Sequence, residues 1–496
     1  WKGGFTSTYV APGRSPIEVI RSEPAFSIPV LPSVYGTILF WFWVAFRIST
    51  GVNVMVRFAM AGVLVVYIGW FLVGLVHFYI GFVIILLSAC SAQEKKGQSV
   101  QSEKPEVNQV SSVEFDASDF RNASFDDAIS GTEMVISDGD WLSYEIEIPE
   151  TGRYTTRISA TGADGTGVWI EDYINNTDGR TYNITGFVAT KESGSNFVDG
   201  SPLKKGKHQI KVHAQGGDVA LKSVNFTLLQ EHLEGSEKLV QNMEGSDWTL
   251  VWSDEFEGSG LPDSTKWNYN VGNWGWGNNE PQYYTNPRIE NARQEDGALI
   301  IEAHQNDMGQ DWTSARLTTQ GKAAFVYGKI EFRAKVPVGR GTWAAGWLLG
   351  DSYEDEMSWP YCGEIDVLEC VGFEIDDSTG DGMNHASCHT RAYYFKQGNQ
   401  ITAQTPVKNM NAQWHTYSIE WYPNVIYALV DGERYYTYDK TADELEWPFN
   451  TPQNIILNLA VGGGWGGAKG IDESWDNHQF IVDYVRVYEK TNFETK

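Results

Sequence analysis

From about residue 113 onward the chain never sustains the 3.6-residue apolar repeat of an amphipathic helix. Short runs of alternating apolar and polar residues appear instead, cut by Gly, Asp and Pro. Trp141-Leu-Ser-Tyr-Glu-Ile-Glu-Ile148, Tyr154-Thr-Thr-Arg-Ile-Ser159 and Gln209-Ile-Lys-Val-His213 are three of them. A period of two sends one set of side chains to a core and the other to water, which is how a half-buried strand reads. With 50 glycines and 14% aromatic residues in 496 positions, the pattern predicts an all-β chain built as sandwiches. The length exceeds one domain. Composition divides it: 90–112, rich in Gln, Glu, Lys and Ser, reads as a tether. Residues 113–229 read as a small β-sandwich, 230–246 as a second polar linker, and 247–490 as a larger β domain denser in Trp and Gly.

Residues 58–89 form an apolar run whose only readily ionised side chain is His77, long enough to span a bilayer. A shorter run, Tyr35 to Phe46, precedes it, and a two-span anchor is the alternative reading. The long run ends in Leu87-Ser-Ala-Cys90 before polar Ser91-Ala-Gln-Glu-Lys-Lys. This resembles the lipobox of bacterial lipoproteins, which implies cleavage before Cys90 and acylation of its thiol. Residues 1–89 are then a signal or anchor region. The expected location is the bacterial cell envelope, as a lipid-anchored outer-membrane or cell-surface protein, with secretion as the alternative. Four cysteines form neither a disulfide framework nor a metal-ligand spacing. A formal charge of −27 repels phosphates, so nucleic acid is excluded as a partner and a neutral substrate fits better. A monomer is expected.

The run Trp359-Pro-Tyr-Cys-Gly-Glu-Ile-Asp-Val-Leu-Glu-Cys-Val-Gly372 places Glu364, Asp366 and Glu369 in an otherwise apolar, β-prone stretch. Strand alternation puts Glu364 and Asp366 on one face but turns Glu369, five residues on, to the other. One extra residue between Asp366 and Glu369, a β-bulge, restores the phase and returns all three carboxylates to one side. Two carboxyls about 5–5.5 Å apart on one face are the apparatus of retaining glycoside hydrolysis, and mutual repulsion separates their proton affinities.

Glu364-Ile-Asp-Val-Leu-Glu369 resembles the bulged catalytic signature of glycoside hydrolase family 16. The likeness extends through Trp252-Ser-Asp-Glu-Phe256, Gly277-Asn-Asn-Glu-Pro-Gln-Tyr-Tyr-Thr285, Asp296-Gly-Ala-Leu-Ile-Ile-Glu302, Gly341-Thr-Trp-Ala-Ala-Gly-Trp347, Val461-Gly-Gly-Gly-Trp-Gly-Gly467 and Val482-Asp-Tyr-Val-Arg-Val-Tyr488. These motifs follow the order of the laminarinase branch, the endo-β-1,3-glucanases. The resemblance implies a jelly roll of two antiparallel sheets bent around a groove. It also implies Glu364 as nucleophile, Asp366 as the residue that orients and tunes it, and Glu369 as acid/base, with no cofactor for catalysis.

A glucan groove needs aromatic platforms for pyranose faces and side chains for hydroxyls. Trp343, Trp347, Trp359 and Trp465 are the platform candidates. Asn278 and Arg316 resemble glycone-side hydroxyl binders, and Glu280 is a candidate for holding their loop together. His385 and His389 fall on a strand that faces the groove, with His389 the candidate neighbour of the acids. A structural Ca²⁺ is implied by the family at Glu255, the Gly297 carbonyl and Asp483. The smaller sandwich resembles a family 6 carbohydrate-binding module through Gly139 to Tyr154 and Ser223-Val-Asn-Phe226, which implies Asn225 and Trp169 as sugar contacts. β-Glucan is the expected partner. Mixed-linkage β-1,3-1,4-glucan, another family polysaccharide such as agarose, and a non-catalytic β-glucan receptor are the rival readings.

Overall fold

The structure is a computed structural model that describes residues 111–125, 133–173, 180–190, 194–474 and 477–492. The 1–89 signal or anchor region, Cys90 and nearly all of the 90–112 tether lie outside the described residues. No helix among the described residues is long and apolar enough to cross a membrane. Their only helical pieces are three-residue 3₁₀ turns, so the all-β expectation holds.

The first sandwich pairs two sheets. One runs in the order Ser112–Asp116, Val219–Glu231, Gly152–Gly162, Ser195–Leu203, and the other carries Trp141–Ile148, Gly206–Gln215 and Gly167–Asp172 side by side. Alternation decides the faces: in Gly206–Gln215, His208, Ile210, Val212 and Ala214 are buried while the residues between them are not. Their inward side chains meet Leu142, Tyr154, Leu221 and Phe226 in one core.

The second domain stacks a nine-stranded sheet on a ten-stranded one, as counted among the described residues. Five neighbouring strands of the first are Gln453–Val461, Thr342–Gly350, Glu364–Val371, Gly382–His389 and Ile401–Val407, in that order. Leu348, Ile365, Leu457 and Leu459 point from this sheet into the core, against Phe332, Trp421 and Val485 from the other. The opposite face is left free to line a groove.

The 230–246 segment is not a free tether. Glu237–Val240 pairs in parallel with Ala323–Val326 and becomes an edge strand of the nine-stranded sheet. An edge strand with Glu237, Lys238 and Val240 exposed needs little apolar content, which is why its composition reads as linker.

The sandwich is fastened to the second domain at the level of the backbone. Asn273 N–H donates to the Asp199 carbonyl at 2.9 Å, and its Oδ1 accepts from Asp199 N–H at 2.9 Å. Gly200 and Gly272 make this approach feasible. A Cβ on Gly200, whose φ is +91°, would sit 2.4 Å from the Val271 oxygen, and one on Gly272, at φ +133°, 2.2 Å from the Asp199 oxygen. Trp274, Trp276 and Tyr284 of the second domain pack into the apolar core of the sandwich.

Candidate active site

The groove begins with the bulge. Ala345 pairs with Glu369 and Gly346 with Leu368, but the next residue, Trp347, pairs with Asp366, leaving Val367 as the extra residue. Val367 and Leu368 both enter the core, and the phase change returns Glu369 to the side of Glu364 and Asp366. All three carboxylates line one groove of about 680 Å³. The neighbouring strand pairs with this one only at Glu364, Ile365 and Asp366. Beyond that point the buried side chain of Asn384 replaces the ladder: its Oδ1 accepts from Glu369 N–H at 3.2 Å and its Nδ2 donates to the Val367 carbonyl at 3.0 Å.

Each outer glutamate receives an indole N–H. Trp359 Nε1 donates to Glu364 Oε2 at 2.9 Å, and Trp343 Nε1 donates to Glu369 Oε1 at 3.1 Å. His389 Nε2 lies 3.2 Å from Asp366 Oδ2 and 3.7 Å from Glu364 Oε1. Burial, then the charge of Asp366, pushes Glu364 up to about 7, against the relief given by His389, Trp359 and Arg316. Burial pushes Asp366 up to about 8. Glu369 is held well above the usual carboxylate range by burial first and then by both Asp366 and Glu364. Glu364, Asp366 and His389 are also the one His/Cys/Asp/Glu group among the described residues whose ligand atoms converge, all within 4.8 Å.

The other groove residues expected from sequence lie along the same cleft: Asn278, Arg316, Trp343, Trp347, Trp359, His389 and Trp465. They arrive by alternation. Trp343, Ala345, Trp347 and Leu349 face the groove, while Ala344 and Leu348 between them face the core. Trp347 Nε1 donates to Asn458 at 2.7 Å, and the Arg316 guanidinium lies over both Trp347 and Trp276, at 4.8 and 4.9 Å. Glu280 accepts from Asn278 and Gln282 at 3.2 and 2.8 Å, so it holds the loop as anticipated. His385 bonds Glu374 at 2.6 Å and meets the Trp465 ring edge-on. Sequence reading missed Trp276, Lys396, Gln404 and Asn458, which also line the cleft. Only the face parity of their strands could have flagged Gln404 and Asn458.

Two expected groupings look different in space. Trp169 and Asn225 stand on different sheets of the small sandwich, each half-buried between buried neighbours, so they face opposite sides and cannot grip one sugar together. Trp169 is stacked by His213 at 3.9 Å, and Asn225 accepts from Thr227 at 2.7 Å. Both Glu255 oxygens are taken by Arg486, at 3.0 and 2.7 Å, and Asp483 pairs with Arg333. As arranged, these side chains do not form an oxygen cradle for Ca²⁺, because a cation there must displace two guanidinium groups. Cys362, Cys370 and Cys388 are buried free thiols.

The second domain is similar to known proteins. The sequence model of the glycosyl hydrolases family 16 matches residues 278–486. A β-glucanase of Rhodothermus marinus is 49% identical over 249 residues, 49% of this chain and 85% of that protein. A glucan endo-1,3-β-glucosidase of Cryptopygus antarcticus is 37% identical over 258 residues, 48% of this chain and 91% of that protein. The solved laminarinase from Rhodothermus marinus aligns at 47% identity with a TM-score of 0.46, covering 49% of this chain and 98% of that one. The chain belongs to glycoside hydrolase family 16.

Proposed function

We propose that the protein is a retaining endo-hydrolase of β-1,3-glucan. The observation that carries this reading is the bulged strand that lines one groove with Glu364, Asp366 and Glu369. Glu364 is the nucleophile: the Trp359 N–H, His389 and Arg316 favour its charged form. Glu369 faces two carboxyls and keeps its proton, so it serves as the acid that protonates the leaving oxygen and then as the base that activates water. Asp366 lies between them in the strand, its Oδ2 3.2 Å from His389 Nε2, and orients and tunes the nucleophile. Trp343, Trp347 and Trp465 offer ring faces to pyranose units, while Asn278 and Arg316 offer donors to hydroxyls. The relatives in Rhodothermus and Cryptopygus, a β-glucanase and a glucan endo-1,3-β-glucosidase, support glucan as the substrate class.

The test is reducing-sugar release from laminarin, lichenan and agarose, with the anomeric configuration of the first product followed by NMR. Release of β-configured oligosaccharides from laminarin supports the reading; an α-configured first product overturns retention. Equal turnover of lichenan points to a mixed-linkage enzyme. Binding of laminarin without release marks a receptor, a role carried by the name of a 28% identical β-1,3-glucan-binding protein of Penaeus monodon. We also propose acylation of Cys90 and sugar binding by the small sandwich. These are checked by mass spectrometry of the membrane fraction and by Trp169→Ala in a laminarin pull-down.

A further inference from the structure

The small sandwich reaches the reacting carboxylates through one chain of contacts. Arg180 lies just before Tyr182–Asn183, a strand of the sandwich. Its Nη1 donates to the Trp359 carbonyl at 2.5 Å and its Nη2 to the Met357 carbonyl at 3.2 Å. Tyr182 Oη donates to the same Trp359 carbonyl at 3.3 Å. The indole of that tryptophan is the group whose Nε1 donates to Glu364. The Arg180 guanidinium also lies over the rings of Tyr182 and Tyr361, at 5.4 and 4.8 Å, so it is anchored on both sides of the interface. A planar fork gripping two carbonyls two residues apart, those of Met357 and Trp359, fixes a loop in a way a single donor cannot. A second arginine of the sandwich, Arg153, lies 4.8 Å over the Trp276 ring, the ring that Arg316 covers at 4.9 Å. The Gly200–Gly272 contact keeps this docking in one register.

We propose that Arg180, a residue outside the family 16 domain, is a positioning residue of the reaction: by holding the Trp359 carbonyl it keeps the indole N–H on Glu364. The inference rests on the hydrolase reading above. It makes the sandwich a fixed wall of the active site, whatever sugar its own surface binds.

The full chain is assayed on a soluble aryl β-laminarioligosaccharide, so that capture of insoluble polysaccharide plays no part. Arg180→Ala should lower kcat/KM about tenfold, the scale of a sub-ångström misplacement. It should also move the acidic limb of the pH profile upward, because the charged form of Glu364 loses part of its hydrogen bond. Asp366, Glu369, Glu356, His389, Arg316 and Lys396, the other titratable or charged groups around Glu364 and Trp359, are unchanged in this variant. Trp359→Phe should move the limb the same way, and adding Arg180→Ala to it should move it no further. Arg180→Lys, which keeps one donor, should fall between. An unmoved limb, or effects of the two substitutions that simply add, overturns the proposal and leaves Arg180 as interface packing. If Arg180→Ala does not fold, Tyr182→Phe removes the other donor to the same carbonyl and must shift the limb in the same direction, or the proposal falls. A wild-type chain inactive on β-1,3-glucan but active on another β-glucan refutes the substrate reading alone, and the limb comparison is then made on that glucan.

Discussion

Replacing Asn384 by Ala tests whether the bulge has its own support. The side chain is fully buried, and its loss strands Glu369 N–H and the Val367 carbonyl, two backbone groups with no other partner in the ladder. It also deprives Tyr435, whose hydroxyl lies 2.8 Å from Nδ2. Each stranded buried group costs roughly 1–3 kcal/mol, so about 3 kcal/mol in all, or a fall in Tm of about 10 °C for a domain of this size. The catalytic effect should exceed the stability effect. Once the bulge is free to relax toward regular pairing, Glu369 turns away from Glu364, and a displacement of about 1 Å in a reacting group costs about a hundredfold in rate. The assay is kcat/KM on soluble laminarin well below the new Tm, beside a thermal melt. Cys370→Ala, at a thiol 3.4 Å from the same Asn384 oxygen, is the packing control and should lower Tm with far less loss of turnover. If Asn384→Ala lowers Tm as stated but leaves kcat/KM within threefold, the bulge is held by the packing of Val367 and Leu368, and the reasoning is wrong.

Glu364→Gln should lose several orders of magnitude in rate and gain stability at high pH. Its folded-state proton affinity is raised, to about 7 from 4.5, so its stabilising contribution is complete below pH 4.5 and is lost as pH rises through 7. The wild type therefore surrenders up to about 3 kcal/mol over that window, and the variant should melt several degrees higher at pH 8 but not at pH 4; equal Tm differences at both would contradict the burial argument. For the wild type, kcat/KM should rise with pH as Glu364 ionises near 7 and fall again where Glu369 releases its proton; a rising limb near pH 4 would refute the raised affinity. Glu369→Ala should be restored in part by azide, which needs no general base to attack a glycosyl-enzyme, and a lack of rescue would remove Glu369 from the acid/base role. Gly200→Ala should lower Tm by the strain of a non-glycine residue at φ +91°, about 1–3 kcal/mol, and by the clash with Val271; an unchanged melt would show that the two domains do not meet there.

How much of this was legible follows from the range of each interaction along the chain. The bulge could be read from parity alone, because Glu364 and Glu369 cannot share a face of a regular strand while Ile365, Val367 and Leu368 fill a core. The platforms Trp343 and Trp347 follow the same parity. Asn384 was not legible: it meets Glu369 only because the strand Gly382–His389 turns back beside it, and no local pattern marks an asparagine that stands in for a ladder. Trp169 and Asn225 were grouped by family likeness, but alternation on two separate sheets sends them apart. Glu237–Val240 was read as a linker because an edge strand can be as polar as a tether.

A domain boundary drawn from composition is also not a boundary of function here. Three carboxyls crowded at the groove floor repel one another and resist ionisation, so the groove must supply donors that cost nothing to reorganise when charge moves. It does so with two indole N–H groups, a histidine and an arginine. Two of these lean on the sandwich: Trp359 through its carbonyl, and Arg316 through Trp276, the ring it shares with Arg153. A flexible spacer would leave the Trp359 carbonyl to water and the faces of Trp274 and Trp276 exposed. Their burial in the sandwich core means that separating the domains would cost apolar surface as well as alignment of Glu364. The fit of the two sandwiches is therefore part of what keeps the nucleophile's donor in line.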